Sequence, residues 1–474
     1  MAFQSEISNP QSQIPSPKSQ IKNPMLDVAE QLEALMPTAL VGRVASTVGM
    51  TVAVAGFPAP VGALAEIQRH TGPPLPAEVI GFRDEMTLLY PLSDPAGVRH
   101  GDRVRLARTV RWLRVGEQLL GRVIDAAGHA VDGRPQPALQ DRAAFFRRPP
   151  HPCRRPRIHE PLSTGVRAID GLLTCGKGQR MGIFSGSGVG KSILLGMMAR
   201  YTSADVIVIA LIGERGREVN EFIQRDLAAK GLAKSVVVVA TSNEPALVRV
   251  QAAFTATAIA EYYRDRGRDV LLLMDSLTRF ALAQREVGLA AGEPPTTRGY
   301  PPSVFALLPK LVERAGRSPE GSITAFYAVL VEADDATEPI SDAVRGLLDG
   351  HTWLSRGLAS RGHYPAVDVL ESLSRLMPEV TGEEHRRAAL ALRELLAAYR
   401  DHEDLISIGA YRRGSNRIVD VAVEMLEDIY RYLRQPIEQP STVEHAREGL
   451  MQLYRQYGER LGAQCARDRG DNVA

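Results

Sequence analysis

Five short and almost uninterrupted apolar runs punctuate the middle of the chain: MGIFS (181–185), VIVIALI (206–212), SVVVVA (235–240), DVLLLM (269–274) and SITAFYAVL (322–330). Runs of this length without polar alternation mark parallel strands covered on both faces. Stretches with helical spacing, such as KSILLGMMARY and PALVRVQAAFTATAIAEYYRDR, lie between them. Residues 180 to about 370 therefore read as an α/β core with crossover helices. Upstream, TVAVAG, AEVIGF, TLLYPL and DRVRLA alternate apolar and polar positions between Gly and Pro clusters, which predicts a small all-β barrel or sandwich. Downstream of 380 the pattern turns helical, and Thr381-Gly382-Glu383-Glu384 and Ser441-Thr442-Val443-Glu444 each have the spacing of a capping box.

The resulting division is a tail over 1–24, a β-barrel domain over 25–115, an α/β domain over 116–375 and a helical domain over 376–474. A short amphipathic stretch, Leu26 to Met36, opens the barrel region. The prolines of RRPPHPCRRPRIHEP, residues 147–161, forbid a helix and disfavour a central strand; its arginines could touch nucleic acid, but without interleaved aromatics the segment reads as an interdomain linker. The first 24 residues, rich in Ser, Gln, Asn and Pro, read as a disordered extension.

Composition narrows the functional classes only slightly. With 474 residues, 57 basic against 55 acidic side chains and a formal charge of +2, the chain gives no reason to expect a polyanion as its main partner. No segment approaches the roughly 18 apolar residues of a bilayer span, and the amino terminus has no signal-peptide core. The three cysteines, Cys153, Cys175 and Cys465, are far apart and odd in number, which suits a reducing compartment; the expected location is the cytosol.

The chemistry gathers at FSGSGVGKS, residues 184–192, which follows one strand signal and precedes a helical one. That is the setting of a phosphate-binding loop, although the usual pattern has a glycine where this chain has Ser185. Gly186, Gly188 and Gly190 let the backbone curl so that its N–H groups point inward, with Ser187, Val189 and Ile193 completing the cradle and the helix start adding positive potential. Lys191 would reach the β- and γ-phosphates, and the Ser192 hydroxyl would ligate Mg²⁺. Asp275, after the apolar run Val270 to Met274, would hold a Mg²⁺-bound water; its position before Ser-Leu-Thr is also that of a helix cap. Glu214 stands just past VIVIALI, within the charged string GERGRE that includes Arg215, Arg217 and Glu218, where a group that polarises an attacking water belongs.

Several longer strings carry a resemblance: LLGRVIDAAGHAVDG (119–133), GKGQRMGIFSGSGVGKS, DSLTRFALAQREVGLAAGEPPTTRGYPPSVFALLPKLVERAG, EPISDAVRGLLDGHTWLSR and GHYPAVDVLESLSR. Over roughly 25 to 460 the chain resembles the rotary-type P-loop ATPases, and within them the ATPases of type III protein export. The resemblance implies a RecA/F1-like ATPase core that uses ATP and Mg²⁺. It implies that Glu214 activates water, that Arg215 assists beside it, and that Arg375, in ESLSR, is an arginine finger reaching the nucleotide of a neighbouring subunit. Tyr364, in GHYPAVD, would pack on the adenine, whereas Ile437 stands where ATP synthase catalytic subunits carry a second aromatic. The implied partners are other copies in a homohexamer, stator and stalk proteins, export substrates and chaperones, and a membrane export gate at which the ring is peripheral.

Four features order the alternatives. A hetero-hexameric synthase divides the glutamate and the trans arginine chiefly between two chains, whereas this sequence offers both, as a homo-oligomer requires. An RNA-translocating ring would call for a basic, aromatic surface, and 5% aromatic residues with near-neutral charge point to no nucleic-acid partner. A nucleotide-sensing scaffold would not need Lys191, Asp275 and Glu214 together. EDLISIGAYRRGSN and QPSTVEHA resemble the flagellar branch more than the virulence branch.

Overall fold

The computed structural model describes residues 40–331 and 338–470, the side chains of 463–470 excepted. The tail and the amphipathic stretch expected over Leu26 to Met36 lie outside the described residues.

Alternation produces the first domain. Strands β1 (Val41–Val48), β2 (Thr51–Ala55), β3 (Leu64–Gln68), β4 (Leu75–Arg83), β5 (Met86–Pro91) and β6 (Arg103–Arg108) close into a barrel in the order β1-β2-β5-β4-β3-β6. Along β2 and β3 every second residue is buried, and Val52, Val54, Ile67, Leu75, Leu89 and Val104 are fully buried in the barrel. Closure leaves no edge strand open to pairing.

A two-stranded ribbon, β7 (Trp112–Val115) with β9 (Asp141–Ala144), leads into the central domain. Between them β8 (Arg122–Asp125) joins the main sheet at its edge, parallel to β14 (Ser235–Ala240). The segment 147–161 holds one short turn, Pro152–Arg154, and its arginines dock on the core: Arg155 donates to the carbonyls of Ala315 and Glu313, and Arg147 pairs with Asp265. A minor pair of short strands, β10 (Pro161–Leu162) and β11 (Cys175–Gly176), follows.

The main sheet adds β12 (Arg180–Ser185), β13 (Val206–Ile212), β15 (Asp269–Asp275), β16 (Gly316–Arg317), β17 (Ser322–Leu330), β18 (Gly350–Leu354) and β19 (Val367–Ser374). Its order is β19-β18-β12-β17-β15-β13-β14-β8, with β16 paired to β17; all neighbours are parallel except β18/β19 and β16/β17. Both faces are covered. Val208, Ala210, Leu272 and Met274 face the helices Ala246–Arg264 and Leu277–Ala291, while Ile207, Ile209, Leu271 and Leu273 face the helix Lys191–Tyr201 and the carboxy-terminal helices. This is why these strands read as unbroken apolar runs. Truncating a central residue such as Leu272 to Ala would cost about 3–5 kcal/mol, because the covered strand cannot collapse onto the void.

The carboxy-terminal helices are Glu383–Ser407, Arg417–Leu433 and Val443–Gly470. Neither capping box forms as expected. Gly382 is the N-cap of the first helix, and the Thr381 hydroxyl instead donates back to the Met377 carbonyl at 2.6 Å. The last helix begins one residue later than the box demands, with Thr442 accepting from the His445 N–H at 3.3 Å. Asn416 caps the middle helix by accepting from Ile418 and Val419.

Candidate active site

The carboxyl ends of β12, β17, β15 and β13, which are adjacent in the sheet, converge on one edge. Open parallel sheets bind ligands at such an edge. β12 ends at Ser185, and the backbone curls through Gly188 (φ +77°) and Gly190 (φ +92°) into the helix Lys191–Tyr201. Those two angles lie in the left-handed region, which glycine alone enters without strain. Gly190 caps this helix without a side-chain partner, so its first N–H groups and dipole remain directed at the loop. Val189 is buried and pins the loop to the core; Gly186 is buried, while Ser187, Gly188 and Ser192 are exposed and Ile193 is half-buried against the hydrophobic core. Ser185 replaces the usual glycine without a clash: it is fully buried, with its hydroxyl unpartnered among the described residues.

Lys191 forms an ion pair with Asp275, both side chains nearly covered. Asp275 is the last residue of β15, and the capping role falls to Ser276, whose hydroxyl accepts from the Arg279 N–H at 3.3 Å. The lysine thus opens the helix with its ammonium held by a strand-end carboxylate, with which a phosphate would compete for it.

Glu214 follows β13 and Gly213 (φ +69°), and its carbonyl accepts from the Ser242 N–H at 3.0 Å. The side chain is 9% exposed. Arg279 Nε lies 3.1 Å from Glu214 Oε1 without aiming its hydrogen there, while Arg279 Nη1 donates to the Gly213 carbonyl at 2.5 Å. Burial, and then the negative charge of Asp275, push the Glu214 carboxyl up to about 7; Lys191 and Arg279 oppose the rise. A carboxyl in that range can take up and release a proton near neutrality. Glu214, Ser192 and Asp275 line one small cavity, walled on its other side by Glu218 and Phe222. Its donors are oxygens, which suits a hard cation such as Mg²⁺ that keeps waters and shares substrate phosphates.

Tyr364 lies against the helix end of the loop: a Cβ on Gly190 would sit 3.5 Å from Tyr364 Cε1. The residue is 45% exposed, and its carbonyl accepts from the Gln435 N–H at 3.0 Å. Ile437 is on the surface, its carbonyl accepting from Arg200.

Two expected residues are not in the cradle. Arg215 is exposed and pairs with Glu218 at 3.3 Å. Arg375 follows β19, which runs antiparallel to β18, so it emerges at the opposite edge of the sheet; its N–H donates to the Asp349 carbonyl, and Asp349 in turn accepts from the N–H of Arg180, where β12 begins. The six residues of β12 separate the two edges by ~17 Å. Arg375 cannot reach the loop of its own chain, and it is exposed.

Sequence reasoning passed over two cations. Arg279 stands one helical turn after Asp275, a spacing that places both at the same helix start. Arg356, just beyond β18, brings its guanidinium against Gly186, and no local motif signals it.

The ATP synthase alpha/beta family, nucleotide-binding domain, matches residues 165–374, and the T3SS EscN ATPase C-terminal domain matches 381–452. The "Flagellum-specific ATP synthase" of Bacillus subtilis is 50% identical over 87% of this chain and 94% of its own length. The "Type 3 secretion system ATPase" of Xanthomonas euvesicatoria is 51% identical over 86% and 93%. Among solved structures, the assembled ATPase EscN of the enteropathogenic E. coli type III secretion system superimposes with a TM-score of 0.83 at 46% identity, covering 87% of this chain and 99% of that one. EscN in complex with its central stalk EscO gives 0.81 at the same identity and coverage.

Proposed function

The chain belongs to the ATP synthase alpha/beta family, in the branch of the flagellar and type III secretion ATPases, and from that membership we propose that it hydrolyses MgATP as a homohexameric ring energising flagellar protein export. The observation that carries the mechanism is the separation of Glu214 and Lys191, at one edge of the sheet, from Arg375 at the other. A site needing all three is completed only where two copies meet head to tail, as in a closed ring.

In this reading the loop N–H groups and Lys191 hold the phosphates, Lys191 exchanging its bond to Asp275 for one to the nucleotide. Tyr364 receives the adenine. Ser192 and, through water, Asp275 would hold Mg²⁺, which would neutralise charge on the phosphate oxygens. Glu214, with its carboxyl near 7, orients a water in line with the γ-phosphate and accepts its proton. Arg375 of the next copy stabilises the charge that develops, an effect worth ~10³–10⁵ in turnover for such a residue. Arg215, held by Glu218 at 3.3 Å, acts only after a rearrangement on assembly.

Virulence-type export is the second reading, favoured by the 51% identity to a secretion ATPase and by the EscN superposition. EscN's stalk complex supports a stalk protein in the ring axis here. Stator proteins, export substrates with their chaperones, and a cytoplasmic membrane face are the other expected contacts. No helix among the described residues is long and apolar enough to cross a membrane.

Turnover per subunit, measured against protein concentration with Glu214→Gln as the blank, tests the assignment. Specific activity that rises with concentration while the variant stays silent supports a self-completing ring. Activity at the blank level at every concentration overturns it.

A further inference from the structure

The cradle is flanked at its two ends by side chains of opposite character. At the helix end, a Cβ on Gly190 would lie 3.5 Å from the Tyr364 ring. At the strand end, a Cβ on Gly186 would lie 2.6 Å from Arg356 Nε and 2.7 Å from Nη2. Arg356 is exposed and opens the short helix Arg356–Ser360 beyond β18, the strand that pairs with β12 in parallel register at Ser185↔Leu354. β12 and β18 therefore deliver the loop and this arginine to the same edge together.

The two flanks define a direction along the loop. An aromatic at the Gly190 end suits the base, so the phosphate chain runs from there past the helix start toward Gly186, and its terminal group arrives beside a guanidinium. From this geometry we infer that Arg356 contacts the terminal phosphate of the bound nucleotide within its own chain and makes the site favour triphosphate over diphosphate. The inference rests on the nucleotide-site reading above and adds to it a residue that distinguishes substrate from product. Guanidinium–phosphate contacts are charge-assisted, which makes them strong enough to set such a preference. Gly186 acquires a second reason to lack a side chain: a methyl there would press into the arginine and move it off the phosphate path.

The test is equilibrium binding, with Mg²⁺, of a fluorescent non-hydrolysable ATP analogue and of the matching ADP analogue to wild type, Arg356→Ala and Arg356→Lys. Arg356→Ala should weaken the triphosphate about tenfold or more and the diphosphate less than twofold, with Arg356→Lys in between, since lysine keeps the charge and loses the fork. An equal loss for both nucleotides, or no loss for either, overturns the role of Arg356 while leaving the site intact. Wild type that binds neither analogue overturns the nucleotide-site reading itself. If Arg356→Ala does not fold by circular dichroism, the comparison of Arg356→Lys with wild type decides, an unchanged triphosphate-to-diphosphate ratio counting against the inference.

Discussion

Gln435 joins the carboxy-terminal helices to the nucleotide edge, and removing its amide should both loosen that junction and weaken ATP binding. The side chain is 3% exposed. Its oxygen accepts from the Arg167 N–H at 2.7 Å, its nitrogen donates to the carbonyls of Gly165 (2.9 Å) and Gln439 (2.6 Å), and its backbone N–H holds the Tyr364 carbonyl. Gln435→Leu keeps the volume and deletes the three side-chain bonds. It leaves the Gly165 carbonyl and the Arg167 N–H without partners, at about 1–3 kcal/mol for each buried orphan, so the expected loss is about 1–3 kcal/mol once water reaches the more exposed one. Tyr364 keeps its backbone bond but loses its rigid support. A partial loss of ring stacking, about 0.5–1.5 kcal/mol, converts to a roughly 2–10-fold rise in KM with kcat little changed. Urea unfolding followed by circular dichroism measures the first effect, and steady-state ATPase kinetics the second. Gln435→Glu sharpens the test, because it keeps the acceptor and loses both donors while its charge faces two carbonyls. Its carboxyl would be raised, so its stability should be best at low pH and fall as pH rises through that value. A Gln435→Leu loss under 1 kcal/mol, or a collapse of kcat at unchanged KM, would refute the reasoning.

Other consequences are independent of that junction. Lys191→Met should abolish nucleotide binding by the measure of fluorescent-analogue titration, and it should also destabilise the nucleotide-free protein, because Asp275 is left covered and unpaired. Chelating Mg²⁺ with EDTA should stop turnover without unfolding the chain, since among the described residues no cluster of three or more His, Cys, Asp or Glu side chains could hold a structural ion; a change in circular dichroism on chelation would contradict this. His363 is buried with its Nε2 unpartnered, edge-on to Tyr430, and desolvation together with Arg434 lowers it from 6.5 to about 4. The folded state therefore keeps it neutral while the unfolded chain takes up a proton below about 6.5, so its contribution is complete above that pH and about 2–3 kcal/mol is lost as pH falls toward 4. His363→Phe should flatten that part of the stability–pH curve, and an unchanged curve counts against the assignment.

How far the sequence disclosed this structure depended on how local each signal was. VIVIALI and SITAFYAVL became β13 and β17 to the residue, because strands covered on both faces keep a nearly continuous apolar run from end to end. β18 and β19 gave no such signal: they pair antiparallel across a register shift, and their residues alternate between buried and half-exposed. The loop glycines and Lys191 were legible because a backbone that cradles phosphate needs them in a fixed local order. Arg356 was not, since 170 residues of chain separate it from Gly186 and only the β12/β18 pairing brings them together. The Thr381 box failed for the opposite reason, a competing local bond: the carbonyl of Met377, four residues back, takes the hydroxyl instead of the helix N–H.

The central claim is that each site takes its glutamate from one copy and its arginine finger from the next. Mixing Glu214→Gln protein with Arg375→Ala protein tests it most directly, because each variant alone lacks one half at every interface. Random co-assembly at equal amounts should restore both halves at about a quarter of the interfaces, with ATPase activity recovering toward that share of wild type. Activity of the mixture no higher than the sum of the two separate proteins, under conditions where they demonstrably co-assemble, would contradict a shared site.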